Sequence, residues 1–161
     1  MRCGLCCDGT LFNHVDLTPE DDIIALASFG IQILSDTASP AFKQCCAAYK
    51  NGSCSIYAER PHACRSFRCA LLKRFEANKI SQAEALKIIR EAVTLRDELK
   101  REMCVAFGNG DGTLDQFSAQ LKDRWNNATS VEAKDRVSAV FRKFAALWLC
   151  INKHFQKQWQ R

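Results

Sequence analysis

Eight of the ten cysteines lie before residue 70, and this clustering constrains the chain more than any other feature. Cys3, Cys6 and Cys7 form a first group and Cys45 and Cys46 a second. Cys54, Cys64 and Cys69 form a third, interleaved with Arg60, Arg65 and Arg68 and bent by Pro61. In an oxidising compartment such cysteines point to disulfides; in a reducing one, clustered cysteines point to metal or redox chemistry. No apolar leader precedes Cys3, and no apolar run approaches the ~18 residues of a membrane span. That predicts a cytoplasmic protein without a membrane partner. A Cys3-x-x-Cys6 pair also suits a shared metal ion better than a disulfide, whose small loop removes little chain entropy.

At 161 residues, 47% hydrophobic and 25% charged, the chain has the size and composition of one ordinary globular domain. Its formal charge of +5 counts every cysteine as neutral. Metal-bound cysteines are thiolates, so the basic balance compensates the centre and gives no independent sign of nucleic acid.

The chain changes character along its length. Cys3-Gly4-Leu5-Cys6-Cys7-Asp8-Gly9 reads as a knuckle, with glycines supplying the positive φ that turns backbone N–H groups toward sulfur. Leu11 to Leu17 alternates briefly, as a short strand would; His14 lies there with no cysteine paired to it by spacing, and reads as a surface histidine. Thr18-Pro19-Glu20-Asp21 signals a helix start, with Ile23, Ile24, Leu26 and Ala27 as the buried stripe and Gly30 as the stop. Residues 31–44, with Ser35-Asp36-Thr37 and Pro40, read as a loop. Asn51-Gly52 predicts a hairpin with Cys46 and Cys54 at its stems, and a helix is expected from Pro61 to about Phe75.

Beyond residue 78 the pattern is helical. Ser81-x-x-Glu84 and Thr113-x-x-Gln116 are capping boxes, and Ser130 caps a last helix. That helix carries Val137, Phe141, Phe144, Trp148, Ile151, Phe155 and Trp159 as a core stripe, with only Trp159 available to a partner. Gly108–Gly112 resembles a calcium loop only superficially. Placing Gly112 at the sixth position puts Phe107 and Ser118 where carboxylates are required, so it is a helix connection. Cys104 and Cys150 lie among apolar helical residues and read as small buried hydrophobes.

Thiolates suit zinc and iron–sulfur centres. Adjacent side chains diverge, so Cys6 and Cys7 can serve different ions or one can bridge. Seven thiolates with one shared supply enough positions for two tetrahedral ions, while one [4Fe–4S] cluster uses four and leaves three spare. Arg60, Arg65, Arg68, Lys43 and Arg2 are expected to neutralise sulfur, with binding of an anionic substrate or nucleic acid as the less favoured role, and Tyr57 and Phe67 to form an apolar cover.

The string Cys54-Ser55-Ile56-Tyr57-x-x-Arg60-Pro61-x-x-Cys64-Arg65-x-Phe67, with Cys3-x-x-Cys6-Cys7, Cys46 and Leu17-Thr18-Pro19-Glu20-Asp21, resembles the YkgJ-type cysteine-cluster family over about residues 3–72. The resemblance implies metal chelation, with zinc and iron both proposed for members. It marks Cys46 as a ligand and Cys45 as an extra cysteine. Many relatives carry a further cysteine three residues before the position of Cys3, which here would precede Met1. A related cysteine region occurs in flagellin lysine N-methylases, but no nucleotide- or adenosylmethionine-binding glycine motif is present to carry that activity over.

The expected architecture is mainly α: a single domain with an irregular cysteine-rich half, residues 1–76, packed on a helical scaffold, residues 77–161. Its expected function is chelation of zinc or iron, as single ions or an iron–sulfur cluster, by Cys3, Cys6, Cys7, Cys46, Cys54, Cys64 and Cys69. The alternative is a structural-zinc module binding a protein or, less favoured, a nucleic acid. As an enzyme it would perform iron-dependent redox work or modify a protein; no hydrolytic triad or phosphate loop is present.

Overall fold

The structure is a computed structural model that describes residues 3–34 and 39–156. The chain divides into two compact units, Met1–Arg68 and Cys69–Arg161.

The first unit is built on short strands. β1 (His14–Asp16) and β2 (Ile33–Leu34) both pair antiparallel with β3 (Ala41–Lys43), which is central. Phe42 faces Val15 on one side and Ile33 on the other, so one aromatic side chain anchors all three strands. The stretch read as a loop therefore contributes two strands. Ile33 and Phe42 supply its apolar side chains, but each strand is too short to show an alternating pattern in a local reading. Its Ser35-Asp36-Thr37 portion lies outside the described residues. Phe42 is 1% exposed and heads a core with Leu17, Leu26, Ile31, Ala48 and Ile56. Cys46, Cys54 and Cys64 pack against this core.

Between β1 and β2 runs α1 (Ile23–Ser28). Its cap is Asp22, whose carboxylate accepts from Ala25 N at 2.9 Å, and not the threonine of the start signal. The buried face is narrower than the expected stripe: Leu26 is buried and Ile23 half-buried, while Ile24 is 85% exposed and Ala27 is exposed. The hairpin forms as expected from β4 (Tyr49–Lys50) and β5 (Ser53–Cys54). Asn51 and Gly52, at φ 50° and 73°, make the left-handed two-residue turn that suits the twist of such a ribbon.

The expected helix from Pro61 to Phe75 is two helices. α2 (His62–Ser66) stops where Phe67 turns extended, and α3 (Ala70–Glu76) starts after Cys69. Cys69 occupies the cap, its sulfur accepting from Leu72 N at 3.4 Å.

The second unit continues with α4 (Gln82–Phe107), α5 (Leu114–Asn127) and α6 (Val131–His154), and α6 packs on both others. Both capping boxes form, and Gly108 ends α4 at φ 75°. On α6 the buried residues Val137, Val140, Phe144, Leu147 and Ile151 recur at alternating spacings of three and four, the seam of near-parallel helices. Phe141 and Trp148 each follow a seam residue and are rotated about 100° off it, leaving them 54% and 48% exposed. Val137, Phe144, Ile151 and Phe155 of the expected stripe are thus core, and Phe141 and Trp148 are surface; Trp159 lies outside the described residues. Cys150 is buried as expected, but Cys104 is exposed, because it follows seam residue Met103 and turns outward against Gly110.

Candidate metal centre

Four short stretches of the first unit bring their cysteines to one place. In the knuckle, Gly4 takes φ 71° and its carbonyl accepts from Cys7 N at 2.8 Å and Asp8 N at 3.1 Å. A Cβ at Gly4 would collide with the Tyr49 phenol, so the knuckle lies directly against the hairpin. Buried Leu5 pins the turn, and buried Asp8 closes its far side by accepting from Thr10 N at 3.0 Å.

The second stretch docks on the first through one backbone bond, Cys46 N donating to Cys7 O at 2.9 Å. Cys45, immediately before it, turns the other way and donates its thiol to Asp8 O at 2.9 Å. The third stretch is the hairpin, where Cys54 pairs with Tyr49. The fourth is α2, carrying Cys64. Its cap residue Pro61 has no side chain to satisfy the helix N–H groups, and Asp21 supplies the acceptor from 41 positions away, taking His62 N at 2.7 Å. The other Asp21 oxygen accepts from Thr18 N at 2.8 Å and Thr18 Oγ1 at 3.0 Å. Desolvation opposes ionisation of Asp21, yet these hydrogen bonds and the Arg65 guanidinium hold its carboxyl below the usual range. The helix-start signal thus marks a clamp between the chain before α1 and the helix of Cys64.

Cys3, Cys6, Cys7, Cys46, Cys54 and Cys64 all line a cavity of about 390 Å³, with Phe12, Phe42, Ile56 and Phe67 among its apolar walls. Tyr57 and Phe67 do lie over it, Phe67 packed edge-on against Phe12 at 4.9 Å. Cys45 is not among the lining residues, and Cys69 belongs to the second unit, where it caps α3. His14 is exposed, pairs with Asp16 at 3.6 Å, and touches the cavity edge.

Burial first, and then the neighbouring Cys46, Cys64, Cys54 and Asp8, push the Cys7 thiol up to about 12. Burial likewise raises Cys64 to about 11, helped by Cys46 and Cys54 and opposed by Arg60. Cys46 is raised by burial and by Cys54, against backbone N–H groups of Ala48 and Tyr49 that favour its thiolate. Cys7, Cys46 and Cys64 therefore stand within electrostatic reach of one another and of Cys54, and their thiolates are disfavoured until a cation compensates them.

Among the arginines, Arg60 reaches the cavity, held by its Nε donating to Tyr57 O at 3.0 Å and by the Tyr57 ring 3.7 Å beneath its guanidinium. Arg68 instead donates to the carbonyls of Arg65 and Phe67, bracing the end of α2, and Lys43 is exposed on β3. Arg2 lies outside the described residues.

Among the described residues no three Cys, His, Asp or Glu side chains are arranged to hold an ion as they stand. The cysteines line one space without having closed on a centre. The donor set nonetheless fits a thiophilic metal: all sulfur, half-buried, drawn from a knuckle and a hairpin, with a cation alongside.

A family model described as CxxCxxCC, "Putative zinc- or iron-chelating domain", matches residues 1–92. The chain belongs to the CxxCxxCC family. The CxxCxxCC domain accounts for all eight clustered cysteines and extends into α4. Neither a curated protein nor a solved structure matches the chain. Among the described residues no helix is long and apolar enough to cross a membrane.

Two residues of this CxxCxxCC domain escaped sequence reasoning. Asp21 carried a signal, but for a helix cap. Gln44, buried in the cavity wall, carried none, since a glutamine before Cys45 looks like any loop residue.

Proposed function

We propose that the chain chelates zinc or iron through Cys3, Cys6, Cys7, Cys46, Cys54 and Cys64. The observation that carries this reading is the convergence of six cysteines, from four stretches up to 61 positions apart, on one cavity. Cys7, Cys46, Cys54 and Cys64 are the mutually interacting set and have the number and type of donors that a tetrahedral thiolate site uses. Cys3 and Cys6 add donors from the knuckle, and the six sulfurs serve two tetrahedral ions if two of them bridge.

The bound metal supplies Lewis acidity or, as iron, electron transfer. The chain's own residues do the rest. The Phe42 core holds three of the sulfurs, the Gly4 turn aims three others, Asp21 positions the helix of Cys64, and Arg60 offsets thiolate charge.

Anaerobic purification followed by metal and acid-labile sulfide analysis tests the reading. Bound zinc or iron is expected, with Cys64→Ser lowering the metal content. A metal-free protein that is fully folded with all thiols intact would refute it.

A further inference from the structure

Once Cys7, Cys46, Cys54 and Cys64 have taken one tetrahedral ion, Cys3 and Cys6 are left two donors short of a second. A Cys-x-x-Cys turn presents both its sulfurs to one ion. The shortfall is therefore met either by sulfurs that bridge or by donors from outside the knuckle.

β1 offers two donors of the required kind. His14 and Asp16 are two residues apart on the strand and so stand on one face of it. Both line the cavity that Cys3 and Cys6 line, and both are open to solvent, their side chains 55% and 78% exposed. His14 Nε2 lies 3.6 Å from Asp16 Oδ1. That separation is too long for a hydrogen bond, and an exposed ion pair of this kind contributes little. It is close to the spacing that a shared ion imposes. Bonds of ~2.0–2.1 Å meeting at a tetrahedral angle hold nitrogen and oxygen about 3.4 Å apart. The two atoms are thus spaced as one edge of a coordination tetrahedron. Cys3 and Cys6 have still to close on that edge, as the other sulfurs have on their own centre, since no three donors among the described residues hold an ion as they stand.

We propose that a second divalent transition-metal ion sits at the cavity edge, bound by Cys3 Sγ, Cys6 Sγ, His14 Nε2 and Asp16 Oδ1. This rests on the metal reading above and deepens it. Six sulfurs, one imidazole and one carboxylate then serve two tetrahedral ions with no sulfur shared. The two ions differ in kind. The first has four half-buried sulfurs, whereas the second has mixed donors, two of them on exposed side chains, and suits zinc, cobalt(II) or iron(II).

The test uses the full chain, stripped of metal and titrated anaerobically with cobalt(II), following the cobalt absorption and the metal bound per chain. Two ions are expected in the wild type and one in His14→Ala and in Asp16→Ala. Neither variant removes a sulfur, and both side chains are exposed, so the fold is undisturbed. His14→Cys exchanges nitrogen for sulfur and should restore two ions, with the sulfur-to-cobalt absorption stronger by one thiolate's share. A wild type that binds a single ion overturns the proposal and leaves the metal reading standing. So do two ions in either alanine variant, or one ion in His14→Cys. Loss of both ions from an alanine variant also overturns it, because the all-sulfur site would then depend on a residue outside it. A wild-type chain that takes up no cobalt overturns the metal reading itself and this inference with it.

Discussion

Replacing Asp21 with alanine removes three hydrogen bonds from the point where α2 joins the rest of its unit. Two donors, Thr18 N and Thr18 Oγ1, belong to the turn before α1; the third, His62 N, opens the helix that carries Cys64. His62 is exposed and Thr18 half-buried, so both regain water, and the loss is that of a cap and not of a buried charge. A cap is worth about 1 kcal/mol, and the charge-assisted bonds to Thr18 bring the total to about 2 kcal/mol. Hydrogen exchange over residues 62–66 should then quicken about thirtyfold, while the amides of α4 are unchanged.

Asp21→Asn keeps an acceptor but no charge, and should lose about half as much. Its gap from the wild type depends on pH in a defined sense. The folded carboxyl titrates below its ordinary value, so its contribution is complete above about pH 4, the unfolded value. It disappears as pH falls through the lower folded value, where the protonated carboxyl of Asp21 and the amide that replaces it become equivalent. Stability of the two proteins compared by denaturation from about pH 6 to pH 3 should therefore converge at the acid end. An unchanged exchange rate over α2 in Asp21→Ala, or a gap that persists undiminished into acid, would refute the clamp.

Three further outcomes follow from the same geometry. Gly4→Ala meets both a φ of 71° and the Tyr49 phenol, so it should cost at least about 2 kcal/mol and lower metal content, read by metal analysis on the refolded protein. Cys69→Ser substitutes one capping side chain for a better one; α3 should persist by circular dichroism and metal content should match the wild type, whereas a loss of metal would restore Cys69 to the ligand set. Cys150→Ser places a hydroxyl in an apolar seam and should cost about 1–3 kcal/mol of thermal stability while leaving the metal unchanged, as measured by a melt and metal analysis side by side.

Much of the second unit is legible residue by residue because its signals are local. Ser81, Thr113 and Ser130 cap their helices where the sequence places them, since an N-cap bond is complete within four residues. The same locality misleads in the first unit. Thr18-Pro19 satisfies every rule for a helix start, yet the tertiary partner of Asp21 is His62, and α1 begins later under Asp22. Ile33 and Phe42 make strand pairs that no neighbour in sequence announces, and the break at Phe67 divides a stretch whose helical propensity is continuous.

The cysteines show both sides of that division. Their number, grouping and glycine-flanked turns determine, without any structure, that the N-terminal part is a sulfur-donor region, because ligand chemistry is a property of residue type. Which of them meet is a property of backbone direction. Cys45 and Cys46 are neighbours, but one thiol bonds to Asp8 O while the other joins the cavity. Cys64 and Cys69 are five residues apart, but an extended break sets one on α2 in the cavity wall and the other at the cap of α3. A single reversal of the chain reassigns a side chain, and only tertiary contacts such as Cys46 N to Cys7 O decide where those reversals fall.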